Sequence, residues 1–218
     1  ILHFLPYCLD ELVTPINKNK LSNHNEEIHL VNVGYMNFVD KSWVEMIKEI
    51  LDQGIHIHFY GRIANLSDKE LNQRMMNSEL RKLFNNKYLH IHKPVNQEVL
   101  SDEISKYDYG LFLDHRYNLR KNITTGTGNK LASYLEAGIP FLYFSNFKYV
   151  SELFKPYGLN LSIEPYRLKE LKKMLKKLDY SKIIKNVEKA RKEFEMTLNI
   201  HKLEGFFELV RQYKYAAN

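Results

Sequence analysis

The order of apolar segments constrains this chain most. Between residues 28 and 163, short apolar runs alternate with stretches of helical spacing. Residues 28–33 (IHLVNV) form an apolar run that ends at Gly34, and residues 43–51 place Val44, Ile47, Ile50 and Leu51 on one helical face. Residues 55–60 (IHIHFY) alternate and end at Gly61. Residues 67–84 carry Leu71, Met75, Leu80 and Leu83 at helical spacing behind Ser67, with Glu70 three places on as a capping partner. A strand at 88–91 precedes Pro94, and residues 97–107 read as a helix with Val99, Leu100 and Ile104 inward. A strand at 109–113 leads into a polar loop, then a helix at 128–137 closed by Gly138. Strands at 140–144 and 159–163 flank a helix at 149–155 that stops at Pro156, and the chain is helical from Tyr166 onward. Six strands alternating with helices predict an α/β fold: a Rossmann-like, doubly wound parallel sheet with a helical C-terminus. The expected strand order is 3-2-1-4-5-6, with ligands at the carboxyl ends of the strands.

The totals set outer limits. A chain of 218 residues, 44% hydrophobic, can bury one sizeable core. The net charge of +6 favours anionic partners. Lys169, Lys172, Lys173, Lys176 and Lys177 cluster; their ordinary reading is a solvated helix face, and the sharper one is contact with anionic lipid. Cys8 is the only cysteine, which excludes an intramolecular disulfide and a cysteine metal cluster and suits a reducing cytoplasm. No run of about 18 apolar residues and no secretory pattern occurs. The first residue is Ile1, and residues 1–27 read as a connector from a missing N-terminal domain.

The segment Thr124-Thr125-Gly126-Thr127-Gly128-Asn129-Lys130-Leu131 is richest in chemistry. Small residues before a helix let a ligand approach the backbone, helix-start amides face an anion, and Lys130 adds a charge. On this reading a valine at Gly128 would block the ligand. The spacing is not that of a Walker A loop, and the dinucleotide Gly-x-Gly-x-x-Gly is absent, which argues against an ATPase and an NAD enzyme.

The run Asn129-Lys130-Leu131-Ala132-Ser133-Tyr134-Leu135-Glu136-Ala137-Gly138-Ile139-Pro140-Phe141 resembles the x-K-L-x-x-Y-L-x-A-G-x-P-v signature of GT-B glycosyltransferase donor domains. Val31-Asn32-Val33-Gly34, Ile57-His58-Phe59-Tyr60-Gly61, His92-Lys93-Pro94-Val95 and Tyr107-Asp108-Tyr109-Gly110-Leu111 resemble the family's other pieces in order and spacing. The likeness spans residues 28–163, which it marks as a donor-binding domain, with residues 164–218 as C-terminal helices packing on it.

The resemblance implies a glycosyltransferase half that binds a nucleotide diphosphate-sugar. Gly34 would approach the diphosphate, Lys93 and Val95 would meet the base, and Thr125, Gly126, Thr127 and Gly128 would cradle sugar and phosphates. In the family-4-like pattern, Ser133 and Thr125 occupy the places of two glutamates, and Tyr35 stands where an arginine is frequent; Glu136 is a displaced substitute for the ribose-binding glutamate. Arg62 and Lys130 are the preferred cations for the leaving diphosphate, ahead of Arg116, Arg120 and Lys121. The nucleotide sugar is substrate, so no cofactor and no metal are expected. The implied partners are that donor and a glycan or lipid-linked acceptor brought by the N-terminal domain, in surface-polysaccharide assembly, with no nucleic acid. The expected place is the cytoplasm, at the inner membrane face if the lysines touch lipid.

His56, His58, His90 and His92 alternate on two strands, so each pair shares a face. Packing inside the sheet is the preferred reading over a metal site, and no Asp-x-Asp motif is present. Two alternatives to transfer stand beside it: a non-catalytic domain of the same fold, and half of a nucleotide-sugar epimerase.

Overall fold

A computed structural model of the chain describes residues 7–38, 40–63, 78–113 and 128–216. In chain order they form α1 (Ser22–Asn25), β1 (His29–Val33), α2 (Lys41–Leu51), β2 (His56–Tyr60), α3 (Ser78–Phe84), β3 (Leu89–His92) and α4 (Gln97–Ile104). Then follow β4 (Tyr109–Phe112), α5 (Lys130–Glu136), β5 (Phe141–Phe144), α6 (Lys148–Phe154), β6 (Ser162–Ile163), α7 (Leu171–Leu175), α8 (Tyr180–Glu193) and α9 (Met196–Ala216). The strands make a six-stranded sheet in the order β3-β2-β1-β4-β5-β6, parallel throughout, as the alternation predicts.

Each face of the sheet has its own cover. Asp40 caps α2 by accepting from the backbone N–H groups of Ser42 and Trp43 at 2.9 and 3.3 Å. The helix then buries Trp43, Val44, Met46, Ile47, Ile50 and Leu51, and Trp43 packs against Phe59 of β2. On the other face, α5 lays the Tyr134 ring over β4 at Gly110, where a Cβ atom would stand 2.5 Å from that ring. The Tyr134 hydroxyl donates to the Leu111 carbonyl at 2.7 Å. Gly138, at φ +64°, ends α5 in the left-handed turn that its place in the sequence predicts.

Residues 7–27 are stitched to the domain. The Cys8 N–H donates to Phe194 O at 2.8 Å, Leu9 N–H to Glu136 Oε1 at 2.9 Å, and Arg191 Nη1 to Thr14 O at 2.7 Å. Lys20 is buried and donates to the carbonyls of Ser105 and Tyr107 at 2.6 and 3.0 Å. Burial lowers its pKa to about 8, against the opposing pull of Asp108. In the C-terminal part, α8 buries Ile183, Val187 and Ala190, whereas α9 leaves Leu198, Ile200, Phe207, Leu209 and Val210 exposed. No described helix is long and apolar enough to cross a membrane.

Some local expectations change. Val99 is 53% exposed, not inward. A residue five places before Ile104 lies about 140° round the helix from it, while Leu100 is only about 40° away. The last strand shortens to two residues, and a 3-10 turn over Lys155–Tyr157 carries Pro156 past the end of α6. Leu71, Met75 and the Ser67–Glu70 pair lie outside the described residues.

Candidate functional site

The carboxyl edge of the sheet is shaped by a contact between two glycines. Gly34 follows β1 at φ +92° and Gly61 follows β2 at φ +152°. The Gly34 N–H donates to Tyr60 O at 2.7 Å, and a Cβ atom on Gly61 would fall 1.8 Å from the Gly34 carbonyl oxygen. Neither position accepts a side chain without rebuilding the edge. Past this crossing the pairing resumes, with Met36 N–H donating to Arg62 O at 3.1 Å.

Lys130, in the first turn of α5, reaches this glycine from the β4 side. Its Cε lies 3.5 Å from where a Gly34 Cβ would be, and its Nζ donates to Asn32 Oδ1 at 3.0 Å. Asn32 is 6% exposed, and its Nδ2 has no hydrogen-bond partner among the described residues. Asn146, just past β5, is 7% exposed, and both its amide oxygen and nitrogen lack partners there. Buried polar groups left without partners cost about 1–3 kcal/mol each, so two such amides at one sheet edge mark a place built for a polar ligand.

The other sequence-derived residues take their places around this centre. Arg62 is exposed after β2, and Lys93 and Val95 are exposed in the loop after β3, farther along the same edge. Ser133 is half-buried in α5. Thr124, Thr125, Gly126 and Thr127, with Arg116, Arg120 and Lys121, lie outside the described residues. Gly128 is described, and the reason for glycine there differs from the sequence reading. A Cβ atom would meet the Phe112 ring at 2.8 Å, so packing on Phe112, not ligand approach, excludes a valine. Glu136 is only 3% exposed and accepts from Leu9 N–H at 2.9 Å and Ser101 Oγ at 3.5 Å. Burial raises its pKa, and its carboxylate holds the N-terminal segment, which rules it out as the displaced ribose ligand. Asn32 and Asn146 were not singled out in the sequence; only their positions at strand ends pointed to them.

The histidines form a ladder on one face of β1, β2 and β3. Parallel register sets His29 beside His56 and His58 beside His90. His29 Nδ1 meets His58 Nε2 at 3.0 Å, and His58 Nδ1 meets His92 Nε2 at 3.0 Å. In a second chain, Glu27 Oε2 lies 2.6 Å from His56 Nε2, and His56 Nδ1 lies 2.8 Å from His90 Nε2. A neutral imidazole has one N–H and one lone pair, so the tautomers along each chain are set in concert. Burial, with neighbouring histidines, lowers the pKa of His29 to about 4 and drives His58 down further. Ring nitrogens of His29, His56 and His58 lie within 4.8 Å of one another. A tetrahedral ion needs convergent lone pairs, whereas the His29 and His56 rings stack at 4.2 Å and 10°, with their lone pairs nearly parallel. The cluster is arranged as packed, mutually hydrogen-bonded rings.

No family model and no curated protein matches the chain. Solved structures do match it in fold. Sucrose-phosphate synthase from Thermosynechococcus elongatus superposes with a TM-score of 0.65 at 13% identity, covering 97% of this chain and 52% of that one. The C-terminal domain of a glycosyl transferase group 1 family protein, LpcC, from Francisella tularensis gives 0.55 at 9% identity, covering 82% and 93%. The OtsA apo structure gives 0.58 at 13% identity, covering 92% and 49%. These neighbours are GT-B glycosyltransferases, and the chain shares the fold of one of their halves. It spans about half the length of the sucrose-phosphate synthase and OtsA chains.

Proposed function

We propose that this chain is the donor-binding part of a glycosyltransferase, taking a nucleotide diphosphate-sugar for transfer to a glycan or polysaccharide acceptor. The observation that carries this reading is the buried, unpartnered Asn32 amide beside Lys130 and Gly34 at the carboxyl edge of the sheet. A diphosphate or sugar hydroxyl there would accept from Asn32 Nδ2 and from Lys130 Nζ, and the absence of a side chain at Gly34 leaves it room. Asn146, which can both donate and accept, suits a sugar hydroxyl on the other side of β4.

The chemistry asks little more of this half. Breaking the bond between sugar and diphosphate leaves negative charge on the phosphates. Lys130, with Arg62 on the neighbouring loop, would hold that charge without a metal ion. Lys93 and Val95 would line the base, Ser133 would meet the ribose, and Thr125, Gly126, Thr127 and Gly128 would face the sugar and phosphates. A second domain would bring the acceptor, and the exposed apolar residues of α9 offer it a surface to cover.

A thermal-shift screen of the 218-residue chain against nucleoside diphosphates and nucleotide sugars tests this reading. A ligand that binds only the folded state raises the melting temperature, by about 2.7 kcal/mol of added stability at a hundred times Kd. At least one nucleotide diphosphate or its sugar is expected to do so. If none does, the chain keeps the fold without the ligand, which is the reading of a non-catalytic binding or interaction domain.

A further inference from the structure

A second concave surface lies at the opposite edge of the sheet from Gly34 and Lys130. It is an open cavity of about 590 Å³ beside the end of α2, walled by Gln53, Lys169, Lys172, Lys173, Lys176 and Lys177. The wall has a simple origin in the sequence. Lysines at 169, 172, 173, 176 and 177 follow the spacing of one helical face, while Leu168, Leu171 and Leu175 between them are 2%, 0% and 6% exposed. The leucines fix that face against the domain and leave the five ammonium groups outward.

Those charges are poorly matched within the molecule. Lys169 has Glu49 at 3.8 Å, and Lys172 Nζ reaches the Gly54 carbonyl at 3.4 Å. Glu170, the one carboxylate in the wall, is paired with Arg167 at 3.3 Å. Lys173, Lys176 and Lys177 have no ion-pair partner among the described residues. Like charges three and four residues apart on one face repel, so the arrangement lowers stability until an anion enters. A lysine ammonium is a compact, strongly hydrated point charge with rotatable donors. Several on a curved wall suit a compact group bearing clustered phosphates.

We propose that this cavity is a second anion site, independent of the nucleotide-sugar edge, for a ligand carrying clustered phosphates. Such phosphates reach it on a free polyphosphate or on an anionic phospholipid headgroup, and the same lysines would hold either.

The test uses the 218-residue chain, the Lys173→Gln/Lys176→Gln/Lys177→Gln variant, and Lys130→Ala. Titration calorimetry with sodium tripolyphosphate at roughly 0.1 M salt and sedimentation with phosphatidic-acid-containing vesicles are run side by side. Binding of at least one probe is expected, weakened at least about tenfold in the triple variant and unchanged in Lys130→Ala. Tripolyphosphate binding alone assigns a free phosphate ligand; vesicle binding alone assigns a lipid headgroup; both together assign phosphate whatever its carrier. The proposal is overturned if neither probe binds, if the triple variant binds as tightly as the parent, or if polyglutamate binds as tightly as tripolyphosphate. Circular dichroism confirms folding of each variant; the three lysines are exposed and bury nothing, so the triple variant is expected to fold.

Discussion

Acid will loosen this fold through its histidine ladder. Burial, with His56 and His90 close by, takes His29 from the ordinary 6.5 to about 4. Burial and neighbouring charges also lower His58, His90 and His92. A base with a depressed pKa holds fewer protons in the folded state than in the unfolded one. Its contribution is therefore whole above about 6.5 and is lost as the pH falls from there to about 4. At about 1.4 kcal/mol per pH unit, His29 alone accounts for a loss of about 3 kcal/mol by about pH 4. Glu27, held below its usual pKa by its hydrogen bond to His56, acts in the same direction. Asp108, which accepts from the His29 N–H, and Glu136 are raised by burial and act in the opposite one. Comparison with His29→Gln separates these groups. Urea unfolding of both proteins between about pH 7.5 and pH 4 should show the parent losing about 3 kcal/mol more than the variant. Equal losses in the two, within about 1 kcal/mol, would refute the assignment of a depressed pKa to His29.

Three further substitutions probe the packing around the site. Gly61→Ala sets a Cβ atom 1.8 Å from the Gly34 oxygen at φ +152° and should cost at least about 2 kcal/mol in urea unfolding; a cost under about 0.5 kcal/mol would show that the glycine crossing is not tight. Glu136→Gln keeps an acceptor for Leu9 N–H while removing a buried charge, so stability near neutral pH should hold or rise. Glu136→Ala leaves that N–H unpaired and should cost about 1–3 kcal/mol; the reverse order of the two variants contradicts the role given to Glu136.

Much of the scaffold was legible because it follows from periodicity. Gly34, Gly61 and Gly138 each close an element where the apolar pattern ends, and each has positive φ. The strand order follows from right-handed crossovers between consecutive strands. What escaped the sequence is set by register between strands distant along the chain. His29 opens β1 just as His56 opens β2, yet only the pairing of His29 with His56 brings it into the ladder. The pattern of apolar-then-histidine at 28–29, 55–56 and 89–90 carried that signal once the three strands are set side by side. Asn32 and Asn146 gave none, because an asparagine near a strand end reads as a turn former. Glu136 misled for the opposite reason. Its place in the family-like motif suggests a ligand, but the partners that claim it are Leu9, 127 residues away, and Ser101.

Titration calorimetry with a nucleoside diphosphate, on the parent and on Lys130→Ala, tests the donor site most directly. The ammonium of Lys130 stands between Asn32 and the bare Cα of Gly34. One charge-assisted contact to phosphate is worth about 1.5–3 kcal/mol, so its loss should weaken binding about tenfold to a hundredfold while the variant stays folded. A folded variant that binds as tightly as the parent, or a parent that binds no nucleoside diphosphate, would contradict the donor-site account.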